Sequence, residues 1–183
     1  IKSIFEKLPD SKAKVVVWLV PSDAILEQTV GSLKDPSHPY RQRINADFGG
    51  RVEVYTKQEL LSGQNFNIAS IAEQLSIMVL SYDSFRGKKD ALKARQENSS
   101  LAPMAEALGK PEYPVENADE TALIQIINQL TPVVIVDESH HARSQLIKKT
   151  LADFNPSFVL DLSATPTKES NLLSVVGAVQ LKK

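Results

Sequence analysis

The chain contains no cysteine. Disulfides, thiol nucleophiles and cysteine-bound metals are therefore excluded, and the absence fits a reducing compartment. No apolar run approaches the roughly 18 residues needed to cross a bilayer. The start, Ile1-Lys2-Ser3-Ile4-Phe5-Glu6-Lys7-Leu8, is amphipathic and lacks the order of a secretory signal, so a cytoplasmic location is expected. It also lacks an initiating Met, which suggests a piece of a longer protein. Net charge is almost absent, at −1. That excludes a strongly basic, charge-driven nucleic-acid binder. It leaves room for a protein that holds a phosphate backbone through main-chain amides, hydroxyls and a few basic residues. Internal repeats and low-complexity tracts are missing. So is the phosphate-cradling pattern G-x-x-x-x-G-K-S/T: Gly87-Lys88-Lys89 and Gly109-Lys110-Pro111 have neither the partner glycine nor the hydroxyl.

What is present is a globular composition. The 183 residues, 42% of them apolar, suffice for one domain with a buried core. Apolar runs alternate with helix-like stretches, the signature of βαβ units and a parallel sheet. The expected fold is a three-layer α/β/α sandwich with a mostly parallel central sheet. Lys14-Val15-Val16-Val17-Trp18-Leu19-Val20 is continuous and β-branched, as in a strand covered on both faces. Pro21 ends it, and Ser22 is suited to cap a helix over about 23–33, with Ile25, Leu26, Thr29 and Val30 on one face. His38-Pro39-Tyr40 opens a polar helix that Gly49-Gly50 stops. Residues 51–55 read as a short strand, and Thr56 with Glu59 as a capping box. A short helix over 68–75 leads to a buried strand over 76–81. About 87–120 reads as an insertion, partly helical and partly mobile, with prolines at 103, 111 and 114. A helix over 121–130, a strand over 132–136, a helix over 142–154 and a strand over 157–162 complete the pattern.

Two strand ends carry candidate chemistry. Asp137-Glu138-Ser139-His140 follows Val133-Val134-Ile135-Val136 directly. Open α/β sheets bind ligands beyond the carboxyl ends of their strands. A carboxylate there meets phosphates and magnesium, which prefers oxygen ligands, and a second carboxylate can orient or deprotonate a water. A solvated acidic turn is the plainer alternative. Ser163-Ala164-Thr165-Pro166 follows Val159-Leu160-Asp161-Leu162, and its hydroxyls suit hydrogen bonds to neighbouring carboxylates. Alone it reads as a capping turn. A metal site on His140 and His141 is a further alternative, although adjacent histidines on a loop rarely converge on one ion.

Together these segments resemble superfamily 2 helicases. Asp137-Glu138-Ser139-His140 resembles motif II of the DExH type, and Ser163-Ala164-Thr165 resembles motif III. Val17-Trp18-Leu19-Val20-Pro21-Ser22-Asp23-Ala24-Ile25-Leu26-Glu27-Gln28 resembles motif Ia. Val79-Leu80-Ser81-Tyr82-Asp83-Ser84-Phe85 sits where the family carries a further nucleic-acid motif. They occur in the family's order and span essentially the whole chain. Asn171-Leu172-Leu173-Ser174-Val175-Val176-Gly177-Ala178-Val179-Gln180-Leu181-Lys182 resembles the segment after motif III in the restriction subunits of type III restriction–modification systems.

The resemblance implies a first RecA-like motor domain lacking its P-loop and its second RecA-like partner. Residues 1–8 look like the tail of the helix that succeeds the loop. It implies ATP and Mg2+ as cofactors of the full-length protein, with Asp137 holding magnesium through water and Glu138 as general base. His140 would couple the nucleotide site to motif III, and Ser163 and Thr165 would transmit nucleotide state. Pro21, Ser22, Gln28, Ser81 and Tyr82 would lie on the nucleic-acid side. Asp23 departs from the Arg that many relatives carry. The restriction-subunit likeness implies DNA as substrate and a modification (methyltransferase) subunit as partner. The 183 residues alone are expected to be inactive. Two other readings stay open: a degenerate RecA-like module that binds nucleic acid or protein without catalysis, and a metal-dependent hydrolase using Asp137, Glu138, His140 and His141. Arg41, Arg43 and Arg51, and the cluster Arg86, Lys88, Lys89, Lys93 and Arg95, are candidate nucleic-acid contacts; a solvated face is the preferred reading.

Overall fold

The computed structural model describes residues 1–8, 13–85, 93–137 and 145–163. Five strands form one sheet: β1 Lys14–Val20, β2 Val52–Tyr55, β3 Leu75–Ser81, β4 Val133–Asp137 and β5 Phe158–Leu162. Their order across the sheet is β2-β3-β1-β4-β5, and every pairing is parallel. The central strands are β-branched and apolar because both faces are covered; all seven residues of β3 are buried.

Strand alternation sends successive side chains to two separate cores. Val15, Val17, Leu19, Met78, Leu80, Val134 and Val136 belong to the first. Val16, Val20, Val54, Ile77, Val79, Val133 and Ile135 belong to the second. Three helices cover the second core: α1 Lys2–Phe5, α2 Asp23–Lys34 and α3 Pro39–Phe48. Their contacts are Ile4, Phe5, Ile25, Leu26, Val30, Leu33, Ile44 and Phe48. The first core lies under α4 Lys57–Ser62, α5 Ile68–Glu73, α6 Ala102–Leu108, α7 Leu123–Leu130 and α8 Gln145–Asp153. This is the expected three-layer sandwich, with an all-parallel sheet among the described residues.

The helix starts form at the expected side-chain caps. Ser22 Oγ accepts the Ile25 amide at 3.4 Å; His38, which the sequence did not mark as a cap, also caps α3 ahead of Pro39. Glu59 Oε2 accepts the Thr56 amide at 2.7 Å while Thr56 Oγ1 accepts the Glu59 amide at 3.4 Å, closing the capping box. Gly63 ends α4 at φ 67°, and a Cβ there would stand 2.7 Å from the Ser100 carbonyl oxygen. Glycine alone lets the 3-10 turn Ser99–Leu101 approach so closely.

Residues 93–120, expected within the inserted segment, place Ala94, Leu101, Met104 and Val115 in the first core. Asn98 Nδ2 donates to the Leu61 carbonyl at 2.8 Å, and Arg95 joins Asp153 on α8 in an ion pair. Gln125 on α7, 1% exposed, accepts the Val115 amide at 2.7 Å. Because this segment covers it, α7 is buried almost all round.

Candidate functional site

A parallel sheet brings the carboxyl ends of all its strands to one edge. The register aligns them in a row: Val20 pairs with Ser81, Leu19 with Val136, and Asp137 with Leu162. Pro21, Ser22, Ser81, Tyr82, Asp137 and Ser163 therefore gather at one end of three adjacent strands and the one beyond. Segments far apart in sequence, among them the motif-like strand ends, meet here because the crossovers all return to the opposite edge.

Asp137 is the last residue of β4 and is half-buried. Ser163 comes directly after β5 and is half-buried, one residue beyond the Asp137–Leu162 pair. Glu138, Ser139, His140, His141 and Thr165 lie outside the described residues, as does the segment 171–182. Ser22 is half-buried and its hydroxyl is engaged in capping α2. Pro21 is half-buried at the end of β1, and Gln28 is exposed on α2.

Ser81 and Tyr82, expected on a nucleic-acid surface, are each 2% exposed and hold protein partners. Ser81 Oγ shares a hydrogen bond with Ser84 Oγ at 3.3 Å. The Tyr82 hydroxyl donates to the main-chain carbonyl of Asp137 at 2.6 Å, reaching past the end of β1 from β3 to β4. Lys57, at the start of α4, donates to the Ser84 carbonyl at 2.7 Å and ties the 3-10 turn Tyr82–Phe85 to the end of β2. Sequence reasoning missed both ties. The signal available for Tyr82 was strand parity, since Met78, Leu80 and Tyr82 fall on the same face.

Basic residues sort by their partners. Arg41 is structural: its guanidinium donates to the carbonyls of Leu33 at 2.9 Å and Val52 at 2.8 Å, and to Asn45 Oδ1 at 2.9 Å. Arg95 is held by Asp153 and by the Glu116 carbonyl at 2.9 Å. Arg43 makes an exposed pair with Asp47, and Arg51 and Lys93 are exposed. Arg86, Lys88 and Lys89 lie outside the described residues.

Asp137 offers a carboxylate, an oxygen donor of the kind that magnesium takes. An oxygen ligand at a sheet's carboxyl edge suits an ion that takes one or two carboxylates and fills its other positions with water and phosphate. Among the described residues no three His, Asp or Glu side chains converge on a shared point.

Compared with protein families, residues 1–168 match the type III restriction enzyme, res subunit. The chain belongs to that family. It is a domain of the helicase-superfamily type, and its parallel sheet between helix layers is the RecA-like α/β arrangement. The family match takes in Pro21, Ser22, Tyr82, Asp137 and Ser163, and it ends before the restriction-subunit-like segment 171–182. No curated protein matches the sequence. Among the described residues no helix is long and apolar enough to cross a membrane.

Proposed function

We propose that the full-length protein is an ATP-dependent helicase or translocase of the restriction-subunit type that acts on DNA, and that this domain supplies half of its ATPase site. The observation that carries the reading is Asp137 at the end of the fully covered strand β4, level with the ends of β1 and β3, in a chain whose family is the type III restriction res subunit. Asp137 holds magnesium through water, and Glu138 orients or deprotonates the water that attacks the γ-phosphate. Bound magnesium supplies charge neutralisation on the phosphates. Ser163, directly after β5, and Thr165 relay nucleotide state, and His140 couples them to the nucleotide site. Pro21, Ser22 and Gln28 face DNA from β1 and α2. These 183 residues hold no phosphate-cradling loop, so hydrolysis belongs to the full-length protein, which works in the cytoplasm alongside a modification subunit.

The test is ATP hydrolysis by the full-length protein with and without linear duplex DNA. Asp137→Asn should lower the DNA-stimulated kcat by about 100-fold or more, the order lost when charge-stabilising groups are removed from an active site, while DNA affinity stays within about twofold. Undiminished hydrolysis by that variant would overturn the assignment. DNA binding by the wild type with no hydrolysis at all would favour the non-catalytic binding module instead.

A further inference from the structure

Tyr82 holds a position that its ring alone does not explain. The ring fills the first core, where phenylalanine would serve as well, and its hydroxyl donates at 2.6 Å to the carbonyl of Asp137, 55 residues away and two strands across. That carbonyl belongs to the planar peptide on the C-terminal side of Asp137. A short hydrogen bond to that oxygen restrains the orientation of the peptide at the end of β4. Tyr82 also opens the 3-10 turn Tyr82–Phe85, which Lys57 ties to the start of α4 and in which Ser84 bonds Ser81. One side chain thus joins the turn after β3 to the main chain of the acidic strand end.

We propose that Tyr82 is a positioning residue. It transmits the placement of the turn after β3 to the Asp137 peptide and contacts neither nucleotide nor DNA itself. The inference rests on the ATPase reading given above. DNA that engages this side of the edge moves the turn, and the hydroxyl carries that displacement to the acidic strand end; without the hydroxyl, DNA still binds but its stimulation of hydrolysis fades.

A second buried tyrosine provides the control. The Tyr55 hydroxyl donates to the Asn65 carbonyl at 2.9 Å, a bond of the same kind to a loop after α4. Tyr82→Phe and Tyr55→Phe each remove one hydroxyl and keep the ring. In the full-length protein with linear duplex DNA, Tyr82→Phe should lower the DNA-stimulated kcat about tenfold, the scale set by the loss of one positioning hydrogen bond. The KM for ATP and the Kd for DNA should stay within about twofold, and Tyr55→Phe should leave kcat within about twofold at a comparable change in Tm. A kcat for Tyr82→Phe within twofold of wild type would sink the proposal. So would equal losses in both variants, or a Tyr82→Phe protein that does not fold, since either makes the hydroxyl merely structural. A wild-type protein without ATP hydrolysis overturns the ATPase reading and this inference with it; an active wild type beside an equally active Tyr82→Phe overturns this inference alone.

Discussion

Gln125→Leu probes whether the 93–120 segment is an independent appendage or part of the core. Gln125 sits on α7 at 1% exposure, and its Oε1 accepts the Val115 amide at 2.7 Å; Val115 is 6% exposed. Its Nε2 donates to the Tyr113 carbonyl at 3.4 Å, too long to contribute much. Leucine is close to glutamine in size, so the substitution opens little cavity. What it leaves is a buried amide with its acceptor removed, which costs about 1–3 kcal/mol. Relief from burying the glutamine amide offsets a part, and about 2 kcal/mol remains. That corresponds to a roughly 30-fold increase in local opening. Hydrogen exchange monitored by mass spectrometry on the full-length protein reads it directly. Peptides covering 113–116 should exchange about 30-fold faster, while β1 and β3 keep their protection. Unchanged protection at 113–116 would refute the role of Gln125. Uniform loss across β1 and β3 would show that the segment has no opening transition of its own.

Local geometry dictates two further outcomes. Gly63→Ala imposes a left-handed φ of 67° on a residue with a Cβ and drives that atom to 2.7 Å from the Ser100 carbonyl oxygen; it should cost about 2–3 kcal/mol and lower Tm by about 5 °C or more, and a loss below about 0.5 kcal/mol would mean that the Ser99–Leu101 turn yields freely. Glu59 sits in a partly buried environment that raises its pKa, but the Lys34 ammonium at 2.6 Å and the Thr56 amide and hydroxyl outweigh this and hold it below its ordinary 4.5. A depressed folded-state pKa stabilises the fold above the unfolded value and loses that contribution as pH falls through the folded one. Glu59→Gln keeps a side chain able to close the capping box, so wild type should exceed it by about half a kcal/mol near pH 7. Denaturant titrations should show the gap closing as pH drops below 4.5; a gap independent of pH would remove the ion pair from the explanation.

The layer architecture was legible because two kinds of sequence signal agreed. The β-branched runs at Val15-Val16-Val17 and Val133-Val134-Ile135 have no polar face, so they had to be covered on both sides. The caps at Ser22 and Thr56 marked where two helices begin, and the structure forms them at those residues. The segment 93–120 was harder to read. Its prolines and polar residues look like a loop, and the apolar residues that bury it, Leu101, Met104 and Val115, are too sparse for a period. What holds it down is a set of side-chain bonds from Gln125, Asn98 and Arg95 whose partners lie 10, 37 and 58 residues away. No local pattern reports such partners. Arg41 shows the same limit: a basic residue on a polar helix looks like a surface contact, yet two of its three bonds tie α3 to the end of α2 and to β2.

The candidate site was legible as a set of strand ends but not as a set of directions. Strand parity supplies part of what was missing. Met78 and Leu80 face the first core, so Tyr82 two residues on enters the same layer. Val133 and Ile135 face the second core, so the Asp137 side chain leaves the sheet on that same side, opposite Tyr82. The two side chains therefore cannot meet across the edge. A main-chain carbonyl lies in the plane of the sheet, available from either face, and that is where the Tyr82 hydroxyl finds Asp137. The geometry explains why a residue with a hydroxyl is placed at this strand end, and why that hydroxyl acts on the backbone of the acidic residue and not on its carboxylate.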